Sequence, residues 1–213
     1  MRKILMSLAI LVLVYNGADA GIFKEDVNLA DLSQLSPEAL ETLKHTEVNV
    51  FLRKVKHAGA KVLENKAKDD LKISKLTLDA KKQHLKSAEA DLKEAKAAQD
   101  STRIDAAETA LRNATKKLEL AKLLVRWKEK EVDLQAAGVE KAKLAVSVAE
   151  YERDLARVSK LIEESAPSAV KYSLTDFQKR LEKKQKEYEK AVRAEAKEMA
   201  EAKKRKTAYE KSI

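Results

Sequence analysis

The chain has 213 residues, with 44 Lys and Arg against 35 Asp and Glu, and a formal net charge of +9. Charged residues make up 37% of the sequence and aromatic residues only 4%, and there are four glycines, two prolines and no cysteine. This composition is typical of long helices or coiled coils and argues against one thick globular core. The absence of cysteine excludes disulfides, thiolate metal sites and cysteine nucleophiles.

Residues 1–20 have the pattern of an export signal. Two basic residues precede an apolar run over residues 4–15, which is too short to span a bilayer comfortably. The small residues Ala18 and Ala20 then form a cleavage site before Gly21. The sequence therefore predicts an exported bacterial protein, periplasmic or secreted. An uncleaved membrane anchor is the alternative.

A leader and a long helix follow the signal. Residues 21–36 are predicted to be irregular, and their apolar side chains are expected to cover the open end of a helical bundle rather than to dock on a partner. Ser36 before Pro37 is a helix-start pattern. The first long helix is predicted over residues 37–98. Its inward side chains are expected to be Leu40, Leu43, Val50 or Phe51, Val55, Ala58 and Val62, then Leu71, Leu78, Leu85 and Leu92.

A second helix carries an aliphatic residue at every seventh position, which is typical of a coiled-coil seam. These residues are Ile104, Leu111, Leu118, Val125, Val132, Val139 and Val146. Twelve residues separate Leu92 from Ile104, so one continuous helix would place the two seams on nearly opposite faces. We therefore predict a turn at 99–102, with Thr102 and Asp105 as a capping box.

Such a turn makes residues 37–164 an antiparallel hairpin. Leucines of one seam then face alanines of the other, as Leu92 faces Ala107, and Ala88 faces Leu111 in return. This alternation of large and small residues lets two helices pack closely without voids. Gly59 and Gly138 are expected to lie almost opposite one another.

A third helix is predicted over residues 173–212, capped by Ser173 with Asp176. Its residues Leu174, Leu181, Tyr188, Glu195, Ala202 and Tyr209 are expected to face Ile162, Leu155, Val148, Lys141, Leu134 and Trp127 of the second helix. The predicted fold class is all-α, a long antiparallel coiled-coil hairpin with a third helix packed on its base. The hairpin is expected to project roughly 45 Å beyond this base.

The sequence contains no catalytic or cofactor signature. The three histidines lie 12 and 27 residues apart on one predicted helix, without the spacing of a metal site, and are expected to be solvated. Most carboxylates alternate with lysines at helical spacing, as in surface ion pairs. We therefore predict a protein that is not an enzyme and has no cofactor.

The positive charge is concentrated in the third helix, where residues 173–213 include 13 Lys or Arg and 8 Asp or Glu. The run Lys203, Lys204, Arg205 and Lys206 is a candidate contact for anionic lipid or polysaccharide surfaces. The alternative is a solvated face that binds nothing specific. Export makes nucleic acid an unfavoured partner.

The favoured function is an envelope scaffold, spacer or adaptor that works through protein–protein contacts. Export signal, basic charge and projecting hairpin are together similar to the pattern of OmpH-like periplasmic chaperones and of efflux adaptor hairpins. No segment with strand periodicity matches the strands of those families, and the chain is assigned to neither. A holdase-type chaperone for unfolded envelope proteins, or a binder of acidic envelope surfaces, is the alternative. Ile73, Leu76 and Leu123 lie off the seam and suggest a homo-oligomer.

Overall fold

The computed structural model describes residues 27–213, and the predicted signal and residues 21–26 lie outside this part of the chain. Within residues 27–213 the structure is almost entirely helical and has no strand. The elements are α1 (Leu29–Leu32), α2 (Pro37–Ala97), α3 (Ser101–Glu163), a 3-10 helix (Pro167–Lys171) and α4 (Leu174–Glu210). The two long helices pack against each other and α4 packs on them, which confirms the predicted all-α class.

Ion pairs between α2 and α3 mark the register of the hairpin. Lys54 lies 3.1 Å from Glu150, Lys75 lies 3.8 Å from Glu129, and Lys96 lies 3.7 Å from Glu108. Successive members of this series are three heptads apart on both helices. The helices therefore keep one antiparallel register from residue 54 to the turn, because a one-residue slip at any point would break the series.

Helix starts follow the expected chemistry at two of three places. The side chain of Ser36 accepts a hydrogen bond from the backbone N–H of Ala39, and that of Ser173 accepts one from Asp176. The expected capping box at Thr102 is wrong. Asp100 caps α3 instead, accepting from the N–H of Arg103 at 3.1 Å. A carboxylate placed directly after the turn satisfies the free N–H groups and the positive end of the helix dipole.

The expected seam in the first half of α2 is confirmed at the buried Leu43 and Val50 and is wrong at the exposed Leu40, Val55, Ala58 and Val62. Phe51, Val55 and Val62 are 53%, 53% and 67% exposed, and the residues that face α3 there are the partly buried His57 and Glu64. The leucine layers nearer the turn and the buried Leu43 and Val50 at the base fix the rotation of the helix. Because the helix cannot change phase between them, polar residues occupy the seam and apolar residues face outward.

The two glycines accordingly do not meet. Gly59 is exposed, and a Cβ atom built there would have no atom within 4 Å. A Cβ atom at Gly138 would lie 3.4 Å from a carboxylate oxygen of Glu195, so this glycine faces α4.

The register of α4 on α3 agrees with the prediction over most of its length. The ammonium of Lys141 donates to both carboxylate oxygens of Glu195 at 2.6 and 2.7 Å. The rings of Trp127 and Tyr209 lie 5.6 Å apart between centroids. The exception is Ile162, which is 43% exposed, because the adjacent Leu161 takes the buried position at the base.

Residues 27–36, the described part of the leader, cover the open end of the bundle as expected, and four of them form α1. Their buried side chains Val27, Leu32 and Leu35 form one apolar cluster with Leu43, Val158, Leu161 and Phe177. Asp31 fastens the leader by accepting a hydrogen bond from the hydroxyl of Tyr172 at 2.6 Å and by pairing with Lys171 at 3.2 Å. The hydrogen bond from Tyr172 and the adjacent ammonium of Lys171 hold the pKa of Asp31 below its usual range.

Helix α4 ends beside Trp127, whereas α2 and α3 continue to the turn. At 1.5 Å per residue, the two-helix hairpin beyond this point is about 40 Å long. The molecule is therefore a three-helix base closed by the leader, from which a narrow hairpin projects.

Candidate interaction surfaces

The predicted basic run lies in the last turns of α4, close to the point where the hairpin leaves the base. Lys203, Lys204, Arg205 and Lys206 are all exposed. The ammonium of Lys206 lies 5.6 Å from the centre of the Trp127 ring and 3.7 Å from Glu210. Four consecutive residues point in four directions around a helix, so the run does not form one flat basic patch.

A longer basic surface, which was not predicted from the sequence, follows the outer face of α4. It consists of exposed residues at helical spacings of three, four or seven, and we call it the basic stripe: Lys179, Lys183, Lys186, Lys190, Arg193, Lys197 and Lys204. The face that packs on α3 carries Leu181, Tyr188 and Glu195 on the opposite side of the helix. The stripe therefore presents cations along about 38 Å of one helix face. A search for period 3.5 among the lysines would have found it.

Acidic residues beside the basic stripe respond to its charge. Glu187 accepts a hydrogen bond from Lys184 at 2.7 Å, and this bond lowers the pKa of its carboxyl. The charges of Lys183 and Lys190 lower that pKa further. The lysines of α4 therefore stabilise the ionised form of a neighbouring carboxyl.

A second surface is apolar and lies on the outward face of α2. Six large side chains there are each more than half exposed, and we call them the outer stripe of α2: Val48, Phe51, Leu52, Val55, Val62 and Leu63. Of the residues expected to mediate self-association, Ile73 and Leu76 are 62% and 63% exposed, whereas Leu123 is partly buried. Scattered single apolar residues are ordinary on a protein surface, whereas several on one helix face make that face a candidate for contact.

Charged side chains are also buried in the base, where the sequence pattern did not point to them. Arg153, Asp154 and Arg157 are only 7%, 4% and 2% exposed. Asp154 accepts from Arg153 at 2.8 Å and from Arg157 at 3.3 Å, and Arg157 also pairs with Glu47 of α2. This buried cluster joins α2 to α3 and has the arrangement of a structural ion network, in which each charge has an opposite partner.

The histidines differ from one another in their surroundings. His45 and His84 are exposed as expected, but His57 lies in the seam, and its Nε2 atom is buried without a hydrogen-bond partner among the described residues. Burial lowers the pKa of His57, and the charges of Lys61 and Lys143 lower it further, against an opposing effect of Glu140. Among residues 27–213 no group of three or more potential ligands lies close enough together to hold a metal ion.

Two clefts are open grooves between helices. One of about 390 Å³ lies where α2 and α4 diverge over α3, beside Arg53, Val148 and Tyr188. Another of about 400 Å³ lies along the hairpin, beside His84, Ala88 and Asn113. Across the part of the chain that the structure describes, no helix combines the length and the apolarity needed to cross a bilayer.

No protein-family model matches the chain, and neither a curated protein nor a solved structure matches it at a significant level.

Proposed function

We propose that the protein is an exported bacterial envelope component that acts without catalysis, as a scaffold, spacer or adaptor, through protein–protein contacts. Export is supported by the pattern of residues 1–20. The contact function is supported by the distribution of apolar and charged side chains, which form a seam inside and long stripes outside.

The projecting hairpin is the observation that carries this proposal. A hairpin about 40 Å long with a narrow tip encloses little volume, but it separates its tip from its base by a fixed distance. The buried cluster and the leader hold the base together, so the hairpin is anchored at one end. This geometry suits a part that bridges two other components of the envelope.

A crosslinking experiment in the native cell tests the proposal. A photo-reactive amino acid at Thr102, exposed at the tip, is expected to capture a specific envelope protein. The same probe at the exposed Gln178 on the base is the control and is expected to capture a different set of proteins. Identical captured proteins at both positions, or none at the tip, would contradict a bridging role.

Export is tested separately by cell fractionation and by sequencing the mature N-terminus. The expected result is a periplasmic or secreted chain that begins near Gly21. A cytoplasmic chain that retains residues 1–20 would refute export, whatever the crosslinking shows.

The holdase alternative is separated from the scaffold by an aggregation assay. A chaperone suppresses aggregation of an unfolded outer-membrane protein at stoichiometric concentrations, whereas a spacer does not. Strong suppression would replace the scaffold proposal with the chaperone.

The basic stripe favours a second candidate function, binding to an acidic envelope surface such as anionic lipid headgroups or polysaccharide. Basic residues near an anionic membrane contribute about 1 kcal/mol each, and their effect decays within a Debye length. A straight row of seven exposed cations on one helix can lie parallel to such a surface, which the four-residue run at 203–206 cannot do alone.

Co-sedimentation with vesicles that contain phosphatidylglycerol tests the second candidate. Replacing Lys183, Lys190 and Lys197 by Gln is expected to weaken binding about 100-fold, since about 3 kcal/mol is lost. Replacing Lys82, Lys86 and Lys93 of α2 by Gln removes the same charge and is expected to have a much smaller effect. Equal losses would mean that only net charge matters, and binding to neutral vesicles would contradict the proposal.

A further inference from the structure

The outer stripe of α2 lies nearly opposite the face of α2 that packs on α3. At 3.6 residues per turn, the row through Val48, Val55 and Val62 is about 160° from the row through Val50 and His57. Helix α4 packs along α3 and leaves this side of α2 open. Among the described residues, therefore, nothing covers the stripe.

Gly59 lies in the middle of the outer stripe and independently supports a helix contact on this face. A Cβ atom there would meet no atom within 4 Å, and the residue does not have a positive φ. Glycine inside a helix weakens the helix relative to alanine. No contact among the described residues of one chain requires position 59 to lack a side chain. A glycine on an exposed apolar face allows another helix to approach closely.

We propose that a second copy of this chain packs antiparallel on the outer stripe of α2. The two-fold axis passes midway between Val55 and Gly59, so that Val55 of each copy fills the space over Gly59 of the other. In the same register Leu52 of one copy faces Val62 of the second copy. Each contact occurs twice, as two-fold symmetry requires.

The charges at the ends of the stripe favour the antiparallel orientation. A parallel pair would place Lys66, which lies in the row itself, directly against Lys66 of the second copy. The antiparallel register places the stem of Lys66 against Val48 of the second copy instead. Lys56 lies beside the axis, but it is about 100° around the helix from Val55 and about 60° from Gly59, so its ammonium points to the edge of the contact.

The exposed apolar area of the outer stripe is large enough for an interface with a second copy. Six side chains that each add roughly 100 Å² give about 600 Å² per copy and about 1,200 Å² for the pair, at the lower end of specific dimers. This dimer does not depend on export or on the proposed adaptor function.

Sedimentation equilibrium of the purified chain is the first test. Wild type is expected to be a dimer at tens of micromolar concentration, and Leu52→Glu/Val55→Glu is expected to weaken dimerisation at least tenfold. The control Leu76→Glu/Val170→Glu changes two residues that are 63% and 91% exposed and lie outside the proposed apolar contact, and it should remain dimeric. Circular dichroism of each variant verifies that the helices are intact.

Single cysteines test the orientation, because the chain has no native thiol. Lys56→Cys, beside the axis, is expected to be joined between copies by a short bifunctional maleimide, whereas Lys66→Cys, about 27 Å from its counterpart in this register, is not. A parallel pair would crosslink readily at residue 66 and would overturn the antiparallel arrangement. A monomeric wild type would overturn the dimer. If the wild type were monomeric and the stripe variant lost suppression of client aggregation, the stripe would be assigned to unfolded clients instead.

Discussion

Two residues outside the regular helices have positive φ angles without being glycine. Gln99 and Ser165 both have φ of 53°, and each follows the last residues of a long helix. In each case the next N–H reaches back to the end of the helix, from Asp100 to the carbonyl of Ala95 at 3.4 Å and from Ala166 to Leu161 at 2.9 Å. These bonds satisfy carbonyls that a helix end leaves free, which offsets the cost of the left-handed conformation.

Replacing Gln99 by Gly is expected to stabilise the protein by about 0.5–1 kcal/mol, because glycine adopts the left-handed region without a Cβ clash. Chemical denaturation measures the change. The control Ala90→Gly, at an exposed position within α2, is expected to destabilise by about 1 kcal/mol. Equal destabilisation by both substitutions would contradict the turn geometry.

His57 is expected to make the stability of the protein depend on pH. Its folded-state pKa is lowered by burial and by Lys61 and Lys143, so the folded chain resists protonation. Its contribution to stability is therefore present above the unfolded pKa of ~6.5 and is lost as pH falls through the lower folded value. Wild type should lose stability as pH falls through about 6.5 toward the lower folded-state pKa.

The variant His57→Leu is expected to remove most of this pH dependence and to add an apolar layer to the seam. The exposed His84→Gln should leave the wild-type dependence unchanged. Denaturation midpoints at several pH values measure the effect, and an unchanged slope in His57→Leu would refute the assignment.

At the scale of the helices, much of the architecture was predictable and the polar part of the seam was not. The heptad leucines of α2 and the phase break before Ile104 are local patterns, so they located the turn. A search for apolar repeats selected Val55 and Val62, whereas the phase set at both ends of the helix places His57 and Glu64 inside. The burial of Arg153 and Arg157 could not be predicted from the sequence either, because it depends on partners from another helix.

The buried cluster predicts an unequal response to losing a carboxylate. Asp154→Ala leaves Arg153 and Arg157 together in a buried site and is expected to destabilise by about 3–5 kcal/mol. Asp79→Ala removes an exposed partner of Lys82 at 2.8 Å and is expected to cost less than about 0.5 kcal/mol. Thermal denaturation compares the two variants, and similar costs would mean that the cluster is hydrated rather than buried.

On the scale of the whole molecule, many contacts inside the hairpin could be predicted from the sequence, whereas the surfaces outside it could not. The large-to-small pairing of the seam follows from sequence spacing, and so does the ion pair of Lys141 with Glu195. The two surface stripes become visible only when the packed faces are known, because an exposed face is defined by the face that it lies opposite. The function is hard to predict from the sequence for the same reason. The sequence has no catalytic or cofactor-binding motif, and its surface stripes can be recognised only when the packed faces are known.

The antiparallel hairpin is the central claim, and one disulfide tests it most directly. Ala88 is buried in the seam and lines one groove with Ala110 and Ala114, and the partly buried Leu111 lies between those two positions. Cysteines at Ala88 and Leu111 are expected to form a disulfide within one chain, since facing seam positions meet the geometric requirement.

The control pair, Ala88 with Leu124, places the second cysteine about 20 Å farther along α3 and should not form the bond. In one unbroken helix, residues 88 and 111 would lie about 34 Å apart. An intrachain disulfide at 88 and 111, found by mass spectrometry of the monomeric fraction, is the result that the hairpin predicts. Its absence, together with a spin-label distance of about 34 Å between these positions, would contradict the hairpin.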